Sequence, residues 1–428
     1  MPGMSESPSA GPIESAQRVH ALDALRGFAL LGVFISNSLN WFNGRLLLPK
    51  EQALALGASP LELTVNSLFA LLIDQKFVTL FTLLFGLGFA LQMTRAEERG
   101  TSIVPVYRRR LLVLLGIGLV HMVAIWFGDI LTTYALVGFL LLPFRKCSEK
   151  TVLVWAALFL FVVPIVFSVG QRVLPAMLDG AAAAERAQKA TREEEAERRA
   201  AFLTGLSSDS VVMTQQANAA YGWASIPNPN RPVLLSIILG RFLLGLWAGR
   251  RGLVQDVERH RPLLRKLAAW GLGVGGVMGL IVLAINLSHR GATSMPGWML
   301  WMRIPKDVGI LFLGVGYAAA FALLFQKAGW RKVLGVFTPA GRMALTLYLM
   351  QSVLSLCVFN GWGLGLVGRT PPSLTLLLCL TLFAGQVAFS HWWLGRFRFG
   401  PVEWLWRSLT YGRAQPMRRV PTAAPAAS

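Results

Sequence analysis

Long, nearly uninterrupted apolar runs recur along this chain, and no other feature limits its fold as much. Ten runs of roughly 15–22 residues fall at about 21–41, 76–93, 111–127, 129–144, 151–170, 233–249, 267–287, 306–325, 341–360 and 373–393. An α-helix rises 1.5 Å per residue, so about 20 apolar residues cross a hydrocarbon core of about 30 Å. Inside a bilayer the backbone must satisfy its own polar groups, which makes such runs helices. The pattern predicts an all-α, polytopic integral membrane protein with about ten transmembrane helices. Composition agrees: 54% of the 428 residues are hydrophobic and only 14% charged, against about 25% charged in a soluble domain.

The net charge of +20 suggests nucleic acid at first sight. The basic residues sit instead in short clusters between apolar runs, which is how membrane topology is encoded. With the N-terminus inside, the inner loops and C-terminal tail hold 23 Lys and Arg and the short outer loops six. The expected arrangement is therefore N-in and C-in, with the lipid bilayer as partner and no nucleic acid. Residues 1–17 are polar and rich in Pro, Ser and Gly, a disordered N-terminal tail; 18–415 form the membrane domain; 416–428 form a second disordered tail. The first apolar run has no cleavage site after it and is expected to be retained. Cys147, Cys357 and Cys379 form no C-x-x-C pair, so neither a disulfide framework nor a bound metal is expected.

Two loops break the regular alternation. The outer segment 171–232 contains Ala181–Ala201, whose mixed charges and helix-forming composition predict an exposed helix, read equally as a cap or as a solvated excursion. Leu61–Ile73 is apolar but too short to span, and is expected as an interfacial or re-entrant helix on the outer side. Gly271, Gly275 and Gly279, four residues apart on one helix face, predict close approach of another helix. Gly363, Gly365 and Gly368 match a dinucleotide fingerprint literally, but no strand precedes them and that reading fails. Trp392, Trp393, Trp404 and Trp406, near Arg396 and Arg407, read as an interfacial anchor.

Polar residues inside the apolar runs are the strongest functional pointers, because burying them in a membrane is costly. His121 falls about 15 Å from the inner end of its run, near mid-membrane, and has the chemistry of a general base. Asp129 lies about 12 Å further out and is placed to cap the next helix. One straight helix would hold the two too far apart to bond. Arg241 lies about 12 Å into its run from outside and needs a partner or a water-filled cavity. Asp23 and Arg26, three residues apart, allow an ion pair at the inner mouth. Arg342 and His391 stand at the same inner level, while Asn37, Asp74, Lys76 and Tyr134 offer polar contacts further out.

Five ordered blocks carry a resemblance. They are Arg18-Val-His-Ala-Leu-Asp23-Ala-Leu-Arg26-Gly27-Phe28 with Asn37; Lys76-Phe77 with Phe85-Gly86-Leu-Gly88; Gly128-Asp129-Ile130-Leu131 with Tyr134; Gly341-Arg342-Met343-Ala344 with Tyr348; and Gly400-Pro401-Val402-Glu403-Trp404. Together they resemble the YeiB-like family of bacterial inner-membrane proteins over nearly the whole chain. The Asp-x-x-Arg-Gly opening with its later Asn is similar to that of transmembrane acyltransferases, including the heparan glucosaminide acetyltransferases. That resemblance implies a multi-pass protein of the cell inner membrane. It also implies transfer of an acyl group from cytoplasmic acyl-CoA, as donor substrate rather than bound cofactor, to a small-molecule or glycan acceptor. Two departures stand out: the stretch Asn37–Asp74 lacks the histidine those enzymes carry after the first span, and Leu347 replaces a frequent Asn. His121 is then the mid-membrane histidine left to act as base, with Asp129 and Arg241 as catalytic partners. Asp23, Arg26, Asn37, Asp74, Lys76, Tyr134 and Arg342 are the expected substrate-binding residues. A solute transporter and a non-catalytic stress-response protein are the competing expectations.

Overall fold

Each apolar run closes its own backbone hydrogen bonds and becomes a helix, which leaves the polar residues to the turns. A computed structural model of the protein describes residues 20–290 and 297–419. The tail expected at 1–17, and the last nine residues of the one expected at 416–428, lie outside the described residues. Helix α1 (His20–Asn37) extends through a π turn to Phe42. Then come α2 (Lys50–Ala55), α3 (Pro60–Leu68), α4 (Lys76–Glu98), α5 (Val104–Ala124) and α6 (Leu131–Leu141). Next, α7 (Glu149–Ala157) passes through a π turn into α8 (Val163–Leu178), followed by α9 (Ala181–Leu206) and α10 (Val211–Ala224). The long helices α11 (Arg231–Arg250), α12 (Arg261–Ser288) and α13 (Arg303–Phe325) come after them. Two short helices, α14 (Ala328–Gly335) and α15 (Thr338–Arg342), lead into α16 (Ala344–Phe359), α17 (Pro372–Arg396) and α18 (Pro401–Tyr411).

Among the described residues, seven helical segments are long and apolar enough to cross a membrane. The three remaining expected spans fall on α5, on α6 with the 3-10 turn that carries it to Lys146, and on the shorter α16. Large apolar side chains stay exposed along the outside, such as Val277, Leu280 and Ile281 of α12. In water such a surface would drive association; on a bundle of this length it is the face presented to lipid. The protein is therefore a multi-pass, all-helical membrane protein.

The bundle has two ends, called here near (where α1 starts) and far (where α1 finishes). Pro60–Ile73 begins and ends at the far one. Its Glu62 carboxylate accepts from the Ser373 backbone N–H at 2.8 Å, capping the start of α17. At its other end Asp74 accepts from Asn40 Nδ2, just past α1, at 3.0 Å. The segment therefore does not cross the bundle. Gln75, with φ of +63°, breaks the chain direction before α4, and Lys76 Nζ donates to the freed carbonyl of Ala70.

Helix contacts are set by small residues. Gly271 faces Gly316 of α13, where an added Cβ would stand 2.5 Å from the Gly316 Cα, so the expected glycine stripe does receive a neighbour. Closer still is α1 against α15: a Cβ on Gly341 would lie 1.7 Å from the Asp23 carbonyl oxygen. At the near end α18 is docked by Glu403, whose carboxylate accepts from the backbone N–H of Leu345 at 2.7 Å and of Thr346 at 3.1 Å, and from the Thr346 hydroxyl at 2.5 Å. These N–H groups open α16 and would otherwise be orphaned.

Two outcomes follow for stability. Gly341→Ala forces α1 and α15 apart and lowers the melting temperature of the detergent-purified protein, a cost of about 1–3 kcal/mol as for an overpacked core. Glu403→Ala leaves the first turn of α16 unsatisfied and costs about 1–3 kcal/mol. Limited proteolysis should then cut at α18 well before wild type is cut.

Candidate functional site

A cavity opens at the near end and runs up between α1, α4, α5, α6 and α16, with a volume of about 330 Å³. Its position follows from the glycine contact just described. Because α1 and α15 touch through backbone, Arg26 and Arg342 come to one mouth, where Arg26 Nη1 binds Asp23 at 3.0 Å and also reaches the Gly341 carbonyl oxygen. Arg95, Arg110, Arg398 and Arg407 line the same region, against only two carboxylates, Asp23 and Glu403. One of those, Glu403, is consumed by the amides of α16. Arg110 donates to Gln92 Oε1 at 3.1 Å and lies 4.0 Å over the Trp406 ring, which keeps its guanidinium at the wall rather than in solvent. The mouth is strongly cationic.

Above it the walls turn apolar, with Leu30, Val33, Phe81, Leu84, Phe85 and Leu114. The deep end is bounded by Asn37, Ile130, Tyr134 and Tyr348. From Arg26 to Asn37 the rise along α1 is about 16 Å. Tyr134 shares a hydrogen bond with Thr82 at 2.5 Å, and Tyr348 presents its hydroxyl to the Ile130 N–H at 3.4 Å.

His121 and Asp129 lie just beyond this deep end. The straight-helix expectation that they stand too far apart is overturned. Helix α5 stops at Ala124; the N–H groups of Ile125 and Trp126 both bond back to the His121 carbonyl, at 3.0 and 2.8 Å, and the chain reverses. The reversal returns Asp129 beside the ring, with Asp129 Oδ1 to His121 Nδ1 at 2.8 Å. The second carboxylate oxygen accepts from the Thr132 N–H at 2.6 Å, so Asp129 also caps α6 as expected. Gly118 makes room for this: a Cβ there would stand 3.0 Å from Asp129 Oδ2 and 2.5 Å from Thr132 N.

The other ring nitrogen, His121 Nε2, lies 2.9 Å from Ser352 Oγ on α16. With an ionised Asp129 and a neutral ring, Nδ1 donates to Asp129 and Nε2 is free to accept from the serine hydroxyl, which also lies 3.5 Å from the Tyr348 carbonyl oxygen. His121 and Ser352 are each 1% exposed. Serine, imidazole and carboxylate thus stand in the order in which a base strips a hydroxyl proton and a carboxylate steadies the resulting imidazolium.

Of the residues singled out in the sequence, Asp23, Arg26, Asn37, Tyr134 and Arg342 line the cavity, while His121 and Asp129 sit behind it. Asp74 and Lys76 hold the break before α4 instead. Arg241 is buried in α11, outside the cavity lining, and its Nε has no hydrogen-bond partner among the described residues. His391 bonds the Val336 carbonyl at the near end. The sequence reading missed Ser352 and carried Tyr348 and Glu403 only within the blocks of the resemblance. The signal for Ser352 was present: Thr346, Gln351, Ser352 and Ser355 interrupt a run otherwise apolar enough to span.

Comparisons with known proteins agree with the resemblance. A family model described as "Protein of unknown function (DUF418)" matches residues 248–413. The "Uncharacterized protein YxaH" of Bacillus subtilis (strain 168) is 35% identical over 420 residues, covering 95% of this chain and 98% of that protein. The "Uncharacterized protein YeiB" of Escherichia coli (strain K12) is 28% identical over 414 residues, covering 94% and 98%. No solved structure matches. With similarity of that order along nearly the full length of both chains, the protein belongs to the YeiB-like family.

Proposed function

We propose that this protein is an acyltransferase of the cell inner membrane that takes an acyl group from cytoplasmic acyl-CoA and delivers it to an acceptor in the envelope. The observation that carries the reading is the His121–Asp129 pair standing at the deep end of an arginine-mouthed, apolar-walled cavity. An acyl-CoA is itself built in that order. Its phosphates suit guanidinium groups, which bind them in bidentate fashion, and its pantetheine arm and acyl chain suit an apolar wall. The near end then faces the cytoplasm, in accord with the excess of Lys and Arg in the loops on that side. His121, polarised by Asp129, serves as general base towards a hydroxyl or amine. Asn37, Tyr134 and Tyr348 orient the thioester at the top of the cavity.

Purified protein in detergent, offered acyl-CoA of several chain lengths, should release free CoA, and faster with a hydroxyl acceptor present. His121→Ala lowers that turnover by about 10²–10⁴-fold, the usual worth of a general base. Arg342→Ala weakens donor binding by about tenfold, the loss of one charge-assisted contact, with kcat nearly unchanged. No CoA release by wild type at any chain length removes the reading.

A further inference from the structure

Three residues one turn apart on α16 lead from one cavity to another. Tyr348 lines the deep end of the large cavity. Ser352 follows at the next turn, and Leu356 at the turn after that lines a second, small cavity of about 20 Å³ beneath α9 and α10 at the far end. Ser352 stands between the two. Aromatic rings flank its partner histidine: the Tyr348 ring, which lines the first cavity, lies 5.3 Å from the His121 ring, and the Trp126 ring, which lines the second, lies 6.3 Å from it. Ser352 itself lines neither cavity, so a donor from the near end and an acceptor from the far end would reach its hydroxyl from opposite sides once the Tyr348 and Trp126 side chains turn aside.

We propose that Ser352 is a covalent acyl carrier, receiving the acyl group from the donor and passing it to the acceptor in a second step. The proposal rests on the acyltransferase reading above and adds the nucleophile to it. In the first step Ser352 Oγ attacks the thioester carbonyl carbon and gives its proton to His121 Nε2. The C–S bond breaks, and the departing thiolate takes that proton to leave as a thiol, with Ser352 held as an ester. In the second step an acceptor hydroxyl attacks the ester carbonyl and gives its proton to His121 Nε2. The C–Oγ bond breaks and Ser352 Oγ recovers the proton. No oxidant or reductant takes part.

The geometry of each partner fits its role. Ser352 Oγ to Nε2 is 2.9 Å and Nδ1 to Asp129 is 2.8 Å, within reach for proton transfer and for holding the imidazolium. Ser355 lies three residues on, along the same face of α16. It is fully buried and its hydroxyl has no partner among the described residues, which leaves a donor for the charge that develops on the acyl oxygen.

The test labels the full-length protein in detergent with acyl-CoA and, separately, with a fluorophosphonate, and maps adducts by mass spectrometry. Ser352→Ala and Ser352→Cys are compared after their melting temperatures have been matched to wild type. The expected results are an acyl ester and a fluorophosphonate adduct on Ser352, and no adduct in Ser352→Ala, whose turnover falls at least about 10³-fold, as for loss of a hydrolase nucleophile. In Ser352→Cys the ester is replaced by a hydroxylamine-labile thioester. Turnover by wild type with no adduct, an adduct on another residue, or near-normal turnover by Ser352→Ala overturns the proposal and leaves the acyltransferase reading intact. A fluorophosphonate adduct on Ser352 without consumption of any acyl-CoA keeps the nucleophile and overturns the donor.

Discussion

A bilayer offers no water to a buried polar group, so every one inside this bundle must find a partner in the protein or carry a cost. That constraint organises what is seen. It turns the apolar runs into helices, and it makes the few polar side chains buried in the bundle gather. His121 spends both ring nitrogens, Asp129 both carboxylate oxygens, and Glu403 closes the first turn of α16. None of these groups could be stranded cheaply in hydrocarbon. His121 and Asp129 thereby tie α5, the start of α6 and α16 together, and Glu403 ties α18 to α16.

The second organising fact is steric. Contact of backbone with backbone between α1 and α15, possible because positions 27 and 341 carry no side chain, brings the Asp23–Arg26 turn and Arg342 to one opening. Arg110 and Arg407 arrive there on other elements, one of them held by the ring of Trp406 from α18. The result is a cavity graded from cationic to apolar to polar along one axis. That gradient is what the proposed acyl-CoA donor would match, anionic head to apolar tail.

Much of this was legible in the sequence. The runs, the short Leu61–Ile73 segment, the glycine stripe on α12 and the Asp23–Arg26 pair were readable because each depends only on local spacing and on depth along one helix. The His121–Asp129 contact was not. A reading that continues α5 as a straight helix puts eight residues of rise between the two, and only the reversal after Ala124 cancels it. Ser352 lies 231 residues further along the chain from His121, and no spacing rule reaches across that distance.

The sequence by itself thus determined which segments form apolar helices suited to a membrane, how far along its helix each polar residue falls, and which family the chain resembles. Depth along a helix is a local quantity, fixed by the rise per residue and by the hydrophobic match to the bilayer. Tertiary structure alone decided which residues at a given depth face one another. It gathered six arginines at one mouth, set Arg241 apart from them, and put a serine against the histidine. The rotation of a helix about its axis and the choice of its neighbours depend on packing over the whole bundle. They are settled by small residues and buried hydrogen bonds far apart in the chain.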